Sequence, residues 1–231
     1  ILSFYMIDYS NNDCVKVTNY EKNKDKPRKI SYSKIVLFII ISYGLFYPIV
    51  NSGQSNGKLF IQQELLKNFN VEKTALIIGV IMCVSRIVRV ISNISFNKIH
   101  KKYEDKVGFL LSFLLSLSLC LMVAGSLITY SIIFKILIMS LGYIIILFIR
   151  DPFKVYIQDL ALKNVEKEQQ QSLLTILDLS RKIIRTIMSL SFTAILINNP
   201  MIVVISILVG LSIIEILISM YLYKLIKKNK N

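Results

Sequence analysis

The sequence predicts an all-α, polytopic membrane protein with six transmembrane helices. Six long apolar segments, a mean hydropathy of +0.59 and an apolar content of 54% predict this class. A helix of about 20 apolar residues covers the roughly 30 Å hydrocarbon core of a bilayer, and soluble domains contain only about 45–50% apolar residues. A soluble domain of 231 residues would need far fewer fully apolar helices, so six segments indicate a membrane protein.

The apolar segments divide the chain into three regions: a basic cytoplasmic linker (1–34), a membrane domain (35–223) and a basic cytoplasmic tail (224–231). The predicted spans are Ile35–Ser52, Ala75–Ser95, Val107–Ile128, Ile132–Ile149, Leu173–Ile197 and Met201–Tyr223. The first span turns polar after Pro48, so its helix either continues past the bilayer or breaks near Pro48 and Gly53. Asn199-Pro200 is a turn signal that places proline at the start of the sixth helix.

Lysine and arginine are distributed unevenly between the connections. Nineteen lie before the first span, between the second and third, between the fourth and fifth, and after the sixth; Lys58, Lys67 and Lys73 lie in the other connections. Because short cytoplasmic loops are enriched in these residues, both termini are predicted to be cytoplasmic, in the plasma membrane. The net charge of +14 therefore reflects topology. It does not indicate nucleic-acid binding, which needs a basic face on a folded domain.

The sequence carries no motif of a nucleotide-binding protein or a hydrolase. A phosphate-binding loop, a GxSxG nucleophile motif and an HExxH zinc motif are absent. The three cysteines have no CxxC spacing and the lone His100 has no evident co-ligand. We therefore expect no enzyme activity, no cofactor and no metal site. The first residue is Ile1, and we expect the chain to be the trailing part of a longer one.

Polar residues inside apolar spans are costly, and they usually face a protein interior or a water-filled cavity. Asn51 and Gln54 repeat at helical spacing on the first span, Arg86 lies deep in the second and Arg185 deep in the fifth. We predict that these four line a solute pathway. The alternative for the two amides is a solvated helix end. For the cations nearer the surface, the alternative is a side chain that extends to the water interface.

Charged residues also mark the fifth and sixth spans. Asp178, Arg181, Lys182 and Arg185 share about a third of the circumference of one helix, as expected for a lined cavity or a packed interface. Asp178 could instead pair with Arg181 or Lys182 on its own helix. Glu215 is the single acidic residue of the sixth span. It is a candidate proton-coupling residue, or alternatively a neutral or paired group in the helix packing.

The connection between the second and third spans resembles a loop motif of the major facilitator superfamily, G-x-x-x-D-[RK]-x-G-[RK]-[RK]. Its basic positions are matched by Lys98, Lys101 and Lys102. Its Gly, Asp and Gly positions are occupied by Asn93, Asn97 and His100. Arg150-Asp-Pro, the charged loop after it and the polar stripe of the fifth span resemble the tenth-to-eleventh helix region of the same family. The resemblance covers the whole chain as helices seven to twelve.

This resemblance implies the C-terminal half of a 6+6 bundle, with a substrate site between the halves. The chain would then carry a small polar solute, with an anion as one candidate, by alternating access. Its partners would be the lipid bilayer and either a separate N-terminal half or a second copy of this chain. The resemblance also implies gating or loop roles for a set of residues: Asn93, Asn97, Lys98, Lys101, Lys102, Arg150, Asp178 and Arg181.

Two other classes stay open on the sequence alone. One is the membrane domain of an ATP-driven exporter, although its cytoplasmic loops would be short for contact with an ATPase subunit. The other is a membrane scaffold or decayed fragment without transport activity. Co-purification of a nucleotide-binding subunit would favour the first of these. Activity that survives substitution of Arg86 and Arg185 by glutamine would favour the second.

Overall fold

The computed structural model describes residues 33–103 and 106–230, which form six long α-helices and one short 3-10 turn, Lys167–Gln169. The helices are α1 (Lys34–Leu66), α2 (Val71–Tyr103), α3 (Val107–Ser126), α4 (Ile132–Lys163), α5 (Gln170–Asn198) and α6 (Met201–Lys230). Polar side chains cap several of them. Ser33 Oγ accepts from Val36 N, Asn70 Oδ1 from Lys73 N and Ser131 Oγ from Phe134 N, which satisfies backbone donors left free at helix starts.

Five of these helices, all except α5, are long and apolar enough to cross a membrane. This confirms the prediction of an all-helical chain with several helices of membrane-crossing character. In α5, 29 residues long, the run of charges from Asp178 to Arg185 interrupts the apolar sequence. The remaining part of α5 is apolar, with exposed side chains such as Ile187, Leu190 and Ile197.

Several predicted boundaries were wrong because the helices continue past the apolar residues. α1 runs unbroken through Pro48 and Gly53 to Leu66, so of the two expected arrangements the continuous helix is found. α2 continues to Tyr103, and the residues expected in a loop, 93–102, lie within it. α4 continues to Lys163, which places Arg150 inside the helix and not at its end. α6 includes most of the predicted tail, and the predicted linker, up to residue 32, lies outside the described residues.

In chain order the helices form two sets of three, α1 to α3 and α4 to α6. α1 packs extensively on α5 and α6 of the second set, and α4 packs extensively on α2 and α3 of the first. α1 also crosses α4, and α3 packs on α6. Exchanging α1, α2 and α3 for α4, α5 and α6 therefore leaves the pattern of extensive contacts unchanged. α2 and α5 lie at the periphery, with many exposed apolar side chains.

Proline 152 leaves a carbonyl of α4 without its usual helical partner. Proline has no N–H, so the carbonyl four residues earlier, that of Phe148, cannot accept the usual bond. Ser92 of α2 is fully buried and its hydroxyl donates to this carbonyl oxygen. One hydroxyl thus satisfies the backbone of α4 and joins it to α2.

We expect Ser92→Ala to lower the free energy of unfolding by about 1–3 kcal/mol, because the buried Phe148 carbonyl would lose its donor. Ser206→Ala is the matched control, since the exposed Ser206 hydroxyl bonds only to Ile202 O of its own helix. The measurement is denaturation of the detergent-solubilised chain by sodium dodecyl sulfate, followed by circular dichroism. Equal stabilities for the two variants would contradict this role of Ser92.

Candidate functional site

A cavity of about 480 Å³ lies between α1, α2, α4 and α5. Its size falls within the range of roughly 300–1,000 Å³ that is typical of small-molecule sites. Most of its lining side chains are polar. The cavity is lined by Asn51, Ser52, Gln54, Ser55, Asn56, Lys58, Met82, Tyr143, Arg150, Arg185, Ser189, Phe192, Thr193 and Leu196.

The sequence of α1 explains why this helix supplies most of the polar wall. Asn51, Gln54, Ser55 and Lys58 follow helical spacing and so share one face. Other faces of the same turns carry glycine against the neighbouring helices. A Cβ at Gly53 would lie 3.3 Å from Ile146 Cδ1. These small residues let α1 approach α3 and α4 closely, which fixes the position of its polar face at the cavity.

Arg150 of α4 reaches the cavity and is incompletely paired. Its Nη1 donates to Gln54 Oε1 at 3.0 Å, and its guanidinium lies 6.0 Å from the ring centroid of Tyr47. Its Nε is buried and has no hydrogen-bond partner within the described residues. The neighbouring carboxylate, Asp151, instead binds Arg89 of α2 through two bonds, Nε–Oδ2 at 2.6 Å and Nη2–Oδ1 at 3.2 Å.

The predicted polar stripe of α5 divides into two parts. Arg185 lines the cavity with an exposed side chain, together with Ser189. One turn earlier, Arg181 pairs with Asp178 at 3.1 Å and lies 5.3 Å from the centroid of the Tyr47 ring. Asp178 and Lys182 border a separate surface groove. The alternative in which Asp178 pairs on its own helix is therefore the arrangement found.

The cavity has an excess of positive charge. Lys58, Arg150 and Arg185 line it, and no carboxylate does so within the described residues. Asp151 and Asp178 are the nearest carboxylates on the lining helices α4 and α5, and each is bound to another arginine. Lys58 and Arg185 are exposed and Arg150 is half-buried, so the cavity presents positive charge to which an anion could bind.

The predicted pathway residues separate in the structure. Asn51, Gln54 and Arg185 meet at the cavity, whereas Arg86 is exposed on α2 and is absent from the lining. Asn93 is exposed, and its amide lies 3.5 Å from Asp151 Oδ2. The side chains at the other motif positions are outside those that the structure describes: Asn97, Lys98, Lys101 and Lys102.

Sequence reasoning missed Arg150 as a cavity residue because it follows a long apolar run and was assigned to a cytoplasmic loop. It also missed Tyr143, whose hydroxyl donates to Met82 Sδ at the cavity wall. A signal was available for Arg150, since α4 stays apolar or amphipathic as far as Ala161. A helix that continues to that point places Arg150 well inside it.

Glu215 lies outside the cavity, at the contact of α6 with α1. It is fully buried, and its Oε1 accepts hydrogen bonds from Ser42 of α1 and Ser219 of α6. Sequence reasoning had singled out the carboxylate but not these serines. Serines in the middle of apolar helices were the signal for them.

Among the residues that the structure describes, no group of three or more His, Cys, Asp and Glu side chains could hold a metal ion. Comparisons of the chain with known protein families, with curated proteins and with solved structures find no match. The cavity and the packing of the helices are therefore the features that bear on the function of the chain.

Proposed function

We propose that this chain is the C-terminal six-helix half of a secondary transporter of the major facilitator type, and that it moves a small anionic solute by alternating access. The observation that carries this proposal is the cavity between α1, α2, α4 and α5, which three cations and no carboxylate line among the described residues. Arg150 Nε is buried and has no hydrogen-bond partner within the described residues, so an anion that reached it would satisfy this donor. The neutral amides and hydroxyls of α1 and α5 would bind the remaining polar groups of the solute.

The helix packing supports the transporter class. Secondary transporters are commonly built from inverted repeats, with the substrate site where the repeats meet. Here the contacts of α1 with α5 and α6 have counterparts in those of α4 with α2 and α3. The cavity takes two helices from each three-helix set, α1 and α2 from the first and α4 and α5 from the second.

The charge distribution supports the orientation of this transporter in the plasma membrane. Because consecutive helices joined by short connections run in opposite directions, the helix ends at Lys34, Val107, Lys163 and Lys230 would lie on one side of the bundle. Most connections rich in Lys and Arg would be on that side. By the positive-inside rule this side is cytoplasmic, and so are both termini.

A second bundle is the partner that this arrangement favours. Exposed polar side chains at the cavity, among them Ser55, Lys58 and Arg185, cannot face hydrocarbon without a large cost. A second six-helix bundle, either a separate N-terminal half or another copy of this chain, would cover them and complete the pathway. A scaffold without transport activity would not need an incompletely paired arginine in a cavity, and an ATP-driven exporter would also need an ATPase subunit.

The test is ligand binding by the purified chain in detergent, with citrate and phosphate as anionic probes, glucose as a neutral probe and choline as a cationic one. We expect at least one anion to raise the unfolding temperature, because a ligand that binds only the folded state stabilises it. Choline at equal ionic strength should leave the temperature unchanged.

The control for this test uses two cations on α5. Arg185→Gln should reduce the anion-dependent shift, since Arg185 lines the cavity. Lys182→Gln should retain the shift, since Lys182 borders the separate groove. A shift that choline produces equally, or that both variants lose equally, would contradict an anion site in the cavity.

A further inference from the structure

The Glu215 carboxyl group is buried in a network of serine hydroxyls where α6 packs on α1 and α3. Ser42 Oγ lies 2.6 Å from Glu215 Oε1, and Ser219 Oγ lies 3.0 Å from the same atom. Ser112 Oγ of α3 lies 2.8 Å from Ser219 Oγ. The carboxyl and all three serines are buried. Three helices therefore contribute to one polar cluster.

The direction of each hydrogen bond follows from counting protons. A serine hydroxyl has a single proton to donate. Ser42 and Ser219 both donate to Oε1, so the proton between Ser112 and Ser219 must belong to Ser112. Oε1 accepts two hydrogen bonds, which is the role of a carbonyl-type oxygen. Oε2 is buried and has no hydrogen-bond partner within the described residues.

Within the described residues, no positively charged side chain pairs with the carboxyl group. Its hydrogen-bond partners are Ser42 and Ser219, Ser112 bonds in turn to Ser219, and none of these is charged. The cations that precede these serines, Lys34 on α1 and Lys106 on α3, are exposed near the helix starts. At a rise of 1.5 Å per residue, Lys34 lies about 12 Å from Ser42 along α1, and Lys106 lies about 9 Å from Ser112 along α3.

None of the other ionisable side chains described on α1, α5 and α6 forms a hydrogen bond with Glu215. On α6, Lys224 lies about 13 Å beyond Glu215 at the same rise per residue, and Tyr221 packs on Phe38. On α5, Asp178 and Arg181 pair with each other. On α1, Tyr43 is buried beside Ser42 as a phenol whose hydroxyl has no hydrogen-bond partner within the described residues.

Three states of the carboxyl group can be compared on this geometry. An ionised Oε2 without a donor would be a buried, unpaired charge, which is far more costly than an unpaired hydroxyl. A bound metal cation would need more oxygen ligands than one carboxyl and three hydroxyls supply; calcium, for example, takes about six to eight. The oxygen separations of 2.6–3.0 Å are also those of hydrogen bonds. A proton on Oε2 neutralises the carboxylate and, unlike a metal cation, needs no further oxygen ligands.

We propose that Glu215 is a proton-binding site, separate from the solute cavity, that holds α1 against α6 and α3 in its protonated form. α1 connects the two sites, because Ser42 binds Glu215 while Asn51 and Gln54 of the same helix line the cavity. Release of the proton would leave a charge in the helix contact, and water could reach it only if α1 and α6 separate. Proton release would therefore change the position of α1 at the cavity; its use in moving a solute rests on the proposed transport function.

The first experiment tests the proton and does not depend on transport. Infrared spectra of the whole chain in lipid vesicles at neutral pH should contain the carbonyl absorption of a protonated carboxyl group. Glu215→Gln should lose this absorption, and Asp178→Asn, at a half-exposed carboxylate paired with arginine, should retain it. Absence of the band from the wild-type chain, or its loss when sodium replaces choline at constant pH, would overturn the proposal; the second result would indicate a metal-cation site.

The second experiment tests the connection through α1. A cysteine replaces Gln54 in a background without native cysteines, and its labelling rate by a water-soluble maleimide is measured against pH. We expect the ratio of this rate to that of a small thiol to change several-fold in the wild-type background. In Glu215→Gln the ratio should not change with pH, because position 215 then has no proton to release. A pH dependence that survives in Glu215→Gln would overturn the connection, even if the protonated carboxyl is found.

Discussion

Arg150→Gln should weaken anion binding about 10- to 150-fold and leave the chain as stable as the wild type or slightly more so. A hydrogen bond to a charged group contributes about 1.5–3 kcal/mol, and each 1.4 kcal/mol corresponds to about a tenfold change in affinity. The unusual part of this expectation is that loss of the arginine does not lower the stability of the chain. Because Arg150 Nε is buried without a partner within the described residues, glutamine removes an incompletely paired charge from the interior.

The measurement pairs equilibrium binding of radiolabelled citrate with the unfolding temperature in the absence of ligand. Arg150→Lys is the matched variant, since lysine keeps the charge but lacks the planar fork of arginine. It should recover part of the affinity. If Arg150→Gln destabilised the chain and left citrate binding unchanged, Arg150 would be a packing residue and its place in the proposed solute site would be wrong.

The order of the helices could be predicted from the sequence, because five of the six contain a continuous apolar run and the connections carry clear polar or proline signals. The exception is α5, whose charges interrupt its apolar sequence. The ends of the helices could not be predicted. Apolar runs mark where a helix meets hydrocarbon, whereas α2 and α4 continue as amphipathic helices for some turns beyond. Arg150 was assigned to a loop for this reason, and the loop motif at residues 93–102 lies inside a helix.

The candidate site could be predicted only in the part that depends on one helix. The spacing of Asn51 and Gln54 on α1 is a local property, and both residues line the cavity. Which charged residues pair between different helices does not follow from the local sequence. Arg89 and Arg86 are almost equivalent in the sequence of α2, yet Arg89 meets Asp151 of α4 and Arg86 is exposed. The three serines around Glu215 come from three helices, and only their packing brings them together.

Gly142→Val should cause the largest loss of stability of any single substitution considered for this chain. A Cβ at position 142 of α4 would lie 2.5 Å from the backbone oxygen of Ser118 in α3 and 3.2 Å from the backbone nitrogen of Met122. Small residues let membrane helices approach closely, and a backbone atom cannot move aside as a side chain can. Overpacking usually costs about 1–3 kcal/mol, so alanine should cost at least that amount and valine should separate α3 from α4.

Two other glycines provide the comparison. At Gly57 the nearest atom to an added Cβ is Met122 Cε at 2.8 Å, the end of a flexible side chain, so Gly57→Ala should cost less than Gly142→Ala. At Gly210 no atom lies within 4 Å, and alanine there should be neutral or stabilising by up to about 1 kcal/mol because glycine is a poor helix former. The three alanine variants are ranked by denaturation in sodium dodecyl sulfate. Equal stability of Gly142→Ala and Gly210→Ala would contradict the close approach of α3 and α4. The cavity wall that α4 forms would then have to be placed differently.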